Sequence, residues 1–374
     1  MIYKILDKYD FSAKIIEKWK KNMKKYKVKR IEFKIPKATA ITSMVLGDNG
    51  LVYVGLTGIS HVLVELNPKN DEYRDLGEIF PIKDNFIELS DKIHNSLVKG
   101  SNGILYIGQG LNIDWNAFPI EFNLSKYEGG HMFSFDTKTG KINDLGLVVP
   151  LNAIHGLTID KERGLLYGYT IPDNHFFIFD IFSSKTKDLG KISQYSSHNL
   201  ICLKNGNVYS GWFNPQNNSV YLLKYDFNKK SLIRTKKMLV YNVGPNIQGN
   251  IGIDSWIETK NNEVYCGTVD GCLLKLEPKT DDVKFIGKPL ISPRISGIVE
   301  GKDGLLYLSA GFPVMHLVSF NPRTNEFEDF GEVETQYEMC YFHGMTILDN
   351  GTIYVGETDS ERPFVYKLIP SKER

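Results

Sequence analysis

The 374-residue sequence lacks long apolar runs and paired cysteines. No run approaches the ~18 residues that span a bilayer, and the first nine residues have no apolar core of the kind that a signal peptide requires. Its four cysteines form no CxxC pair, so neither a zinc knuckle nor a disulfide framework is indicated. We therefore expect a cytoplasmic protein with free thiols and no membrane insertion.

Nucleotide-binding and hydrolase signatures are lacking as well. The sequence contains no P-loop, dinucleotide fingerprint, GxSxG or HExxH motif. Their absence argues against kinase, dehydrogenase, serine hydrolase and zinc peptidase functions.

Positive charge is concentrated in a single segment. Residues 14–30 carry nine Lys or Arg against one Glu, which leaves the rest of the chain at −7 although the net charge is +1. An acidic body of this kind does not indicate nucleic acid as a partner. Apolar residues recur at helical spacing within the basic segment, which predicts one amphipathic helix in an N-terminal extension over 1–28.

What the sequence does contain is a repeat. Seven tyrosines recur at intervals of 42 to 61 residues, each behind a turn signal, and five continue as Tyr-x-Gly. They are Tyr53, Tyr106, Tyr167, Tyr209, Tyr265, Tyr307 and Tyr354. Turns such as Asn-Gly and Asp-Gly between alternating apolar runs predict hairpins, and a third and a fourth run follow in most units. Four strands per unit at this period predict an all-β, seven-bladed β-propeller.

The two ends of the chain are predicted to close the ring. The last unit ends on its third strand, over 364–368, and lacks a fourth. An alternating run near the N-terminus predicts a closing strand over 29–36, which would cover the open sheet edge. The sequence therefore predicts one domain over 1–374, with seven blades over 41–370.

All eight histidines are predicted at one face of the propeller, conventionally its top. Four open innermost strands: His94, His155, His198 and His343. Four open third strands: His61, His131, His175 and His316. Recurrence at one repeat position favours a structural role for the second set. The first set would line the channel mouth, either as ligand contacts or around a water-filled tunnel.

Other candidates end second strands at the same face, namely Gln109, Tyr169, Trp212, Asp270 and Glu357. The two aromatic rings can stack on a sugar or pack between blades. A long connection over 110–130 is predicted to lie over the mouth as a lid or a specificity wall.

The pattern resembles the seven-bladed propeller polysaccharide lyases, which include ulvan lyases and rhamnose–glucuronate lyases. The resemblance is carried by His155-Gly156-Leu157-Thr158 and Asn174-His175-Phe176, which open the first and third strands of one blade. It implies β-elimination at a uronic acid, in which a His or Tyr removes the C5 proton. It implies His155 and His175 as the acid/base pair with Tyr221, and Arg294 as the group that neutralises the carboxylate. The substrate would be bound by His94, Gln109, Tyr169, His198, Trp212 and His343.

The chain is also similar to oligogalacturonate lyases, propellers whose channel histidines and a glutamine bind a divalent metal. That similarity implies Mn²⁺ or Ca²⁺ held by the four channel histidines and Gln109, whereas the residues themselves leave the metal unknown. We expect a lyase acting on a small uronate-containing oligosaccharide. Two alternatives stay open: a non-catalytic propeller that binds a ligand or a protein, and a metal-dependent lyase or lactonase.

Overall fold

A computed structural model describes residues 23–80, 90–112, 127–195, 197, 199–240, 252–334, 339–358 and 363–371. Within these ranges the chain forms thirty β-strands and no helix. The strands make seven antiparallel sheets, one for each predicted blade, which confirms the all-β, seven-bladed propeller.

Each blade has four strands in chain order from the channel outwards. Blade 1 has β2 (Ala40–Leu46), β3 (Val52–Gly58), β4 (Leu63–Leu66) and β5 (Tyr73–Asp75). Blade 2 has β7 (Leu97–Lys99), β8 (Ile104–Gly108), β10 (His131–Asp136) and β11 (Ile142–Leu147). Blade 3 has β12 (Ala153–Asp160), β13 (Leu165–Ile171), β14 (His175–Asp180) and β15 (Lys185–Lys191). Blade 4 has β16 (Ile201–Cys202), β17 (Val208–Asn214), β18 (Ser219–Asp226) and β19 (Ser231–Val240).

The remaining blades follow the same order. Blade 5 has β20 (Ile253–Glu258), β21 (Val264–Thr268), β22 (Leu273–Glu277) and β23 (Asp282–Gly287). Blade 6 has β24 (Ile295–Glu300), β25 (Leu306–Ala310), β26 (His316–Asn321) and β27 (Glu326–Glu332). Blade 7 has β28 (Phe342–Ile347), β29 (Ile353–Glu357), β30 (Phe364–Pro370) and, from the N-terminus, β1 (Tyr26–Glu32). A ribbon of β6 (Ser90–Lys92) and β9 (Gly110–Asn112) extends the sheet of blade 1 beyond β3.

The closing strand is confirmed, with different bounds. β1 pairs antiparallel with β30 from Tyr26 opposite Pro370 to Glu32 opposite Phe364. It therefore starts earlier than predicted, and the helical extension predicted over 1–28 is wrong for residues 23–28, which form no helix and from Tyr26 onwards belong to β1. The open edge of β30 offers a row of backbone donors and acceptors that an extended segment satisfies and a helix cannot. The rest of the predicted helix, up to residue 22, lies outside the described residues.

The glycine of Tyr-x-Gly is explained by packing between blades. A Cβ atom on Gly356 would lie 2.2 Å from Ile41 Cγ2, and one on Gly108 would lie 2.5 Å from Ile154 Cγ2. In both cases the isoleucine opens the innermost strand of the following blade. Only glycine leaves room for that side chain, so the motif marks the seam where neighbouring blades interlock.

The third-strand histidines make one repeated contact. Each ring Nδ1 lies 2.6–3.0 Å from a carboxylate oxygen of an aspartate on the fourth strand. The pairs are His61–Asp75, His131–Asp144, His175–Asp188 and His316–Asp329. Each aspartate also accepts a hydrogen bond from the backbone N–H of a glycine two residues later. These histidines therefore fasten the third strand to the fourth.

Candidate functional site

The innermost strands bring polar side chains to the channel mouth through a repeated irregularity. In five blades the ladder between the first and second strands shifts register and leaves one residue out. The residues left out are Thr42, His155, Asp254, Ser296 and His343. A bulge of this kind bends the strand and re-aims the side chain that it frees.

Three of the predicted histidines meet at this mouth. The rings of His94 and His155 stack with centroids 4.1 Å apart and planes 21° apart. The ring of His343 meets that of His94 edge-on at 5.3 Å. His94 is 3% exposed, and its Nδ1 donates a hydrogen bond of 2.9 Å to the backbone carbonyl of His155. That bond puts the proton of the neutral ring on Nδ1 and leaves Nε2 of His94 as its basic atom.

A buried ion pair continues the array around the channel. The Arg294 guanidinium donates from Nε and Nη2 to the two carboxylate oxygens of Asp254, at 2.8 and 3.2 Å. Its charged end stacks over the Tyr341 ring at 4.2 Å, and that ring meets His343 at 4.8 Å. The contacts thus run without a break from Asp254 to His155. We call Asp254, Arg294, Tyr341, His343, His94 and His155 the mouth array.

A cavity of about 300 Å³ adjoins the mouth array, and His343 belongs to its lining. Its other polar lining residues are Ser43, Asn95, Thr158, Asn199, Ser255 and Ser296. Each blade also contributes one apolar residue to the lining, and we call these seven the apolar ring: Met44, Leu97, Leu157, Leu200, Trp256, Ile298 and Met345. The cavity therefore has a mixed lining in which polar groups are well represented.

Other predicted site residues lie elsewhere on the propeller. His175 pairs with Asp188 on the fourth strand of blade 3, whereas His155 on the innermost strand joins the mouth array. The Tyr221 ring stacks on Trp212 within blade 4, 5.4 Å between centroids. The structure therefore does not bring His175 and Tyr221 into the contacts that join His155 to His94.

Tyr169 and Gln109 differ in their surroundings. Tyr169 is fully buried and packs against Phe176, so its ring belongs to the core and offers no exposed face on which a sugar could stack. Gln109 Nε2 donates to Asp91 Oδ1 at 3.2 Å, and its Oε1 accepts from the backbone N–H of His131 at 3.3 Å. Burial raises the pKa of Asp91 to about 6.

Part of the predicted mouth is not described. His198 and residues 113–126 of the long connection between blade strands lie outside the described residues. The lid predicted over 110–130 is therefore represented only by its two ends.

The described donors do not suit a metal ion. Stacked imidazoles present their faces to each other, and Nδ1 of His94 is already bonded to a carbonyl. Among the described residues no group of three or more His, Cys, Asp or Glu side chains is placed to hold a metal. We therefore derive no step through Mn²⁺ or Ca²⁺.

Two features of the site were missed in the sequence, and only the first of them leaves a signal there. Six of the seven apolar ring residues stand nine positions before the repeat tyrosine of their blade, and Leu157 stands ten before Tyr167. Aligning the blades on that tyrosine would have shown the ring. Tyr341 has no such signal, because a tyrosine directly before the innermost strand occurs in this blade and is not part of the repeat.

Comparisons with known proteins bear on the fold. No protein-family profile and no curated protein sequence matches the chain. Among solved structures, virginiamycin B lyase from Staphylococcus aureus superposes with a TM-score of 0.63 at 13% identity, covering 92% of this chain and 99% of that one. A streptogramin B lyase gives 0.60 at 13% identity, covering 92% and 98%.

A third similar structure is much longer. The extracellular domain of a putative one-component system from B. thetaiotaomicron gives a TM-score of 0.60 at 13% identity over 91% of this chain, which spans 40% of that domain's length. No helix in the described ranges is both long enough and apolar enough to cross a membrane. At such low identities the likeness concerns the fold: this chain is a seven-bladed β-propeller, similar in fold to proteins that include lyases.

Proposed function

We propose that this chain is a carbon–oxygen lyase that cleaves a small uronate-containing oligosaccharide by β-elimination at the channel mouth. The observation that carries the proposal is the meeting of His94, His155 and His343 from three blades, with ring centroids 4.1 and 5.3 Å apart. The lyases among the structures of similar fold support the reaction class.

The stacked pair supplies a base and an acid together. Two imidazolium charges at this separation repel each other strongly away from bulk water, so His94 and His155 favour sharing one proton between them. The neutral ring takes the C5 proton of the uronate, and the C–H electron pair forms the C4–C5 double bond. The C4–O bond breaks, and the protonated ring gives its proton to the leaving oxygen. Groups of near-neutral pKa suit both transfers.

The stabilisation of the substrate carboxylate is assigned to the mouth array rather than to Arg294 alone. Arg294 is held by both oxygens of Asp254, so its charge is largely offset where it lies. Its role in the proposal is to position Tyr341 and, through it, His343. A ring N–H of His343 then faces the carboxylate and lowers the cost of the developing negative charge.

The test is the rise in absorbance at about 235 nm that an unsaturated uronate produces. Uronate-containing oligosaccharides are incubated with the protein, with and without Mn²⁺ or Ca²⁺. We expect turnover in the wild type and loss of turnover in His94→Ala and His155→Ala. His175→Ala is the matched control, because its histidine is bonded to Asp188 outside the array. A flat trace over a broad panel, or full activity in His155→Ala, would overturn the proposal.

A binding propeller without catalysis is the second candidate. It is favoured by the closed Arg294–Asp254 pair, whose side chains are 10% and 1% exposed and which resembles a structural bridge. On this reading an oligosaccharide binds at the mouth and is recovered uncleaved after long incubation. Calorimetry that detects binding, together with product analysis that finds no cleavage, would select it.

A further inference from the structure

We propose that the cavity beside the mouth array is a subsite for one neutral sugar residue, the residue attached to O4 of the uronate that reacts. The proposal rests on the proposed function for the reaction and adds a requirement on the leaving residue. Its basis is the polar groups, the charge and the volume of the cavity.

Backbone groups contribute to the polar lining of the cavity. Each innermost strand pairs on one side only, with the second strand of its blade, so its other edge presents N–H and C=O groups to the channel. Some of these groups bond across to the next blade, as the Leu157 N–H does to the Asn95 carbonyl. Gly297 and Gly344 line the cavity with backbone that no side chain covers. A guest therefore meets backbone as well as side-chain polar groups.

The side chains of the lining add donors and acceptors. Within the described part of the chain, the Asn95 amide and the Ser43 hydroxyl form no hydrogen bond with the protein. Asn199 donates from Nδ2 to the backbone carbonyl of Asp254, and its Oδ1 remains an acceptor. An amide and a hydroxyl group both donate and accept, as sugar hydroxyl groups do. The lining thus suits a hydroxyl-rich guest, whereas an apolar guest would leave these groups unpaired.

The charge of the lining favours a neutral guest. Among the described lining residues there is no Asp, Glu, Lys or Arg, and His343 is the ionisable one. In the proposed reaction a ring N–H of His343 already faces the carboxylate of the reacting uronate. A second carboxylate in the cavity would lose its hydration without a charged partner. A neutral sugar also loses hydration, but it regains hydrogen bonds from the lining.

The position of His343 selects the side of the uronate. His343 belongs both to the mouth array and to the cavity lining. The carboxylate that it faces is carried by C5 of the uronate. C4 is bonded directly to C5, whereas C1 is separated from C5 by the ring oxygen. The residue on O4 is therefore the nearer one to the cavity.

The volume limits the guest to one residue. A cavity of roughly 150 Å³ accepts benzene, and a pyranose ring with its hydroxyl groups is larger than benzene. The cavity of about 300 Å³ therefore takes one pyranose residue and not two.

The first test compares two substrates that differ at one carbon of the leaving residue. Glucosyl-(1→4)-glucuronate and glucuronosyl-(1→4)-glucuronate are prepared as methyl glycosides, and kcat/KM is measured for each from the absorbance at about 235 nm. We expect the glucosyl substrate to be preferred by about tenfold or more, since two hydrogen bonds contribute a factor of about five each. Equal values, or a preference for the glucuronosyl substrate, in the wild type would overturn the subsite.

Asn95→Gly removes the amide and keeps the backbone, because Asn95 has a φ of 47° that glycine adopts readily. It should reduce the preference to about threefold or less. The matched control is Asn325→Gly, in an exposed turn with a φ of 61°, which should keep the wild-type preference. Ser43→Ala, from another blade, should lower the preference as well. If Asn95→Gly and Ser43→Ala slow both substrates alike, they disturb the mouth array and the subsite is refuted.

The second test does not need turnover. Binding of methyl glucoside is followed by ligand-detected NMR in the wild type, Asn95→Gly, Asn325→Gly and His155→Ala. We expect binding in all four, weakened by about fivefold in Asn95→Gly only. Methyl glucoside binding of this pattern without elimination of any substrate would remove the lyase and keep the subsite. Elimination without methyl glucoside binding would remove the subsite and keep the lyase.

Discussion

Two sets of histidines that look alike in the sequence have different physical surroundings. The third-strand set faces aspartates of its own blade, so each ring completes a local strand-to-strand contact. His94, His155 and His343 instead contact one another across blades, through ring faces and edges. The first arrangement joins strands of one blade and the second joins different blades, and this difference can be tested one residue at a time.

His155→Ala and His175→Ala are expected to have opposite effects. Loss of the partly exposed His175–Asp188 pair should lower the free energy of unfolding by about 1 kcal/mol and leave elimination intact. Loss of His155 should abolish elimination and move the thermal midpoint little, because it leaves only a widened mouth. Thermal denaturation and the absorbance assay on both variants check this. If both variants lose stability alike and both keep activity, the two sets share a structural role.

At the scale of the strand, the seam between blades depends on glycine. Gly356→Ala brings a Cβ to within 2.2 Å of Ile41 Cγ2, and overpacking of this kind costs about 1–3 kcal/mol. The double variant Gly356→Ala with Ile41→Ala should recover part of the loss, as chemical denaturation can measure. Gly58→Ala is the control, because its Cβ would meet its nearest atom at an ordinary 3.4 Å. An equal loss in both single variants would mean that the strand, and not the seam, is sensitive.

The ribbon of β6 and β9 carries a carboxyl group, that of Asp91, which lowers the free energy of unfolding when it is ionised. Burial raises the pKa of Asp91 from 3.8 to about 6, although Gln109 Nε2 and the Ser60 N–H donate to it. A carboxyl group whose pKa is raised in the folded state costs no stability while it is protonated in both states. As pH rises above about 4 the carboxyl group ionises in the unfolded state but stays protonated in the folded state, so the free energy of unfolding falls. The loss is complete above about pH 6, and a difference of about two pKa units corresponds to about 3 kcal/mol.

Asp91→Asn should therefore flatten the pH dependence of stability. The thermal midpoints of the variant and the wild type should differ least near pH 4. Between pH 4 and pH 7 the midpoint of the variant should rise relative to that of the wild type. Thermal midpoints between pH 4 and 7 measure the difference, and Asp349→Asn, at an exposed carboxylate, is the control. A constant difference across this range would show that Asp91 does not titrate there.

At the scale of the whole molecule, the sequence predicted what repeats and missed what occurs once. Seven tyrosines behind turn signals were enough for seven blades, because hairpin chemistry and alternation are local. The contact between His94 and His343 joins blades 2 and 7, which lie on either side of blade 1, and no spacing in the chain encodes it. Arg294 was expected to meet a substrate carboxylate, but Asp254 of the neighbouring blade meets it instead. Pairings between blades depend on side-chain direction at the bulges, which a linear pattern does not give.

Closure of the ring is the property that belongs to the whole molecule. β1 covers the edge of β30 over seven residue pairs, and Arg30 Nη1 adds a 3.2 Å ion pair to Glu334. Deleting residues 1–32 should lower the thermal midpoint by many degrees and promote association, because a bare strand edge pairs with other chains. Deleting residues 1–22 keeps β1 and is the control; light scattering and denaturation follow both. An equal fall in the two variants would place the stabilisation before residue 23, whereas a fall confined to the longer deletion assigns it to the paired strand.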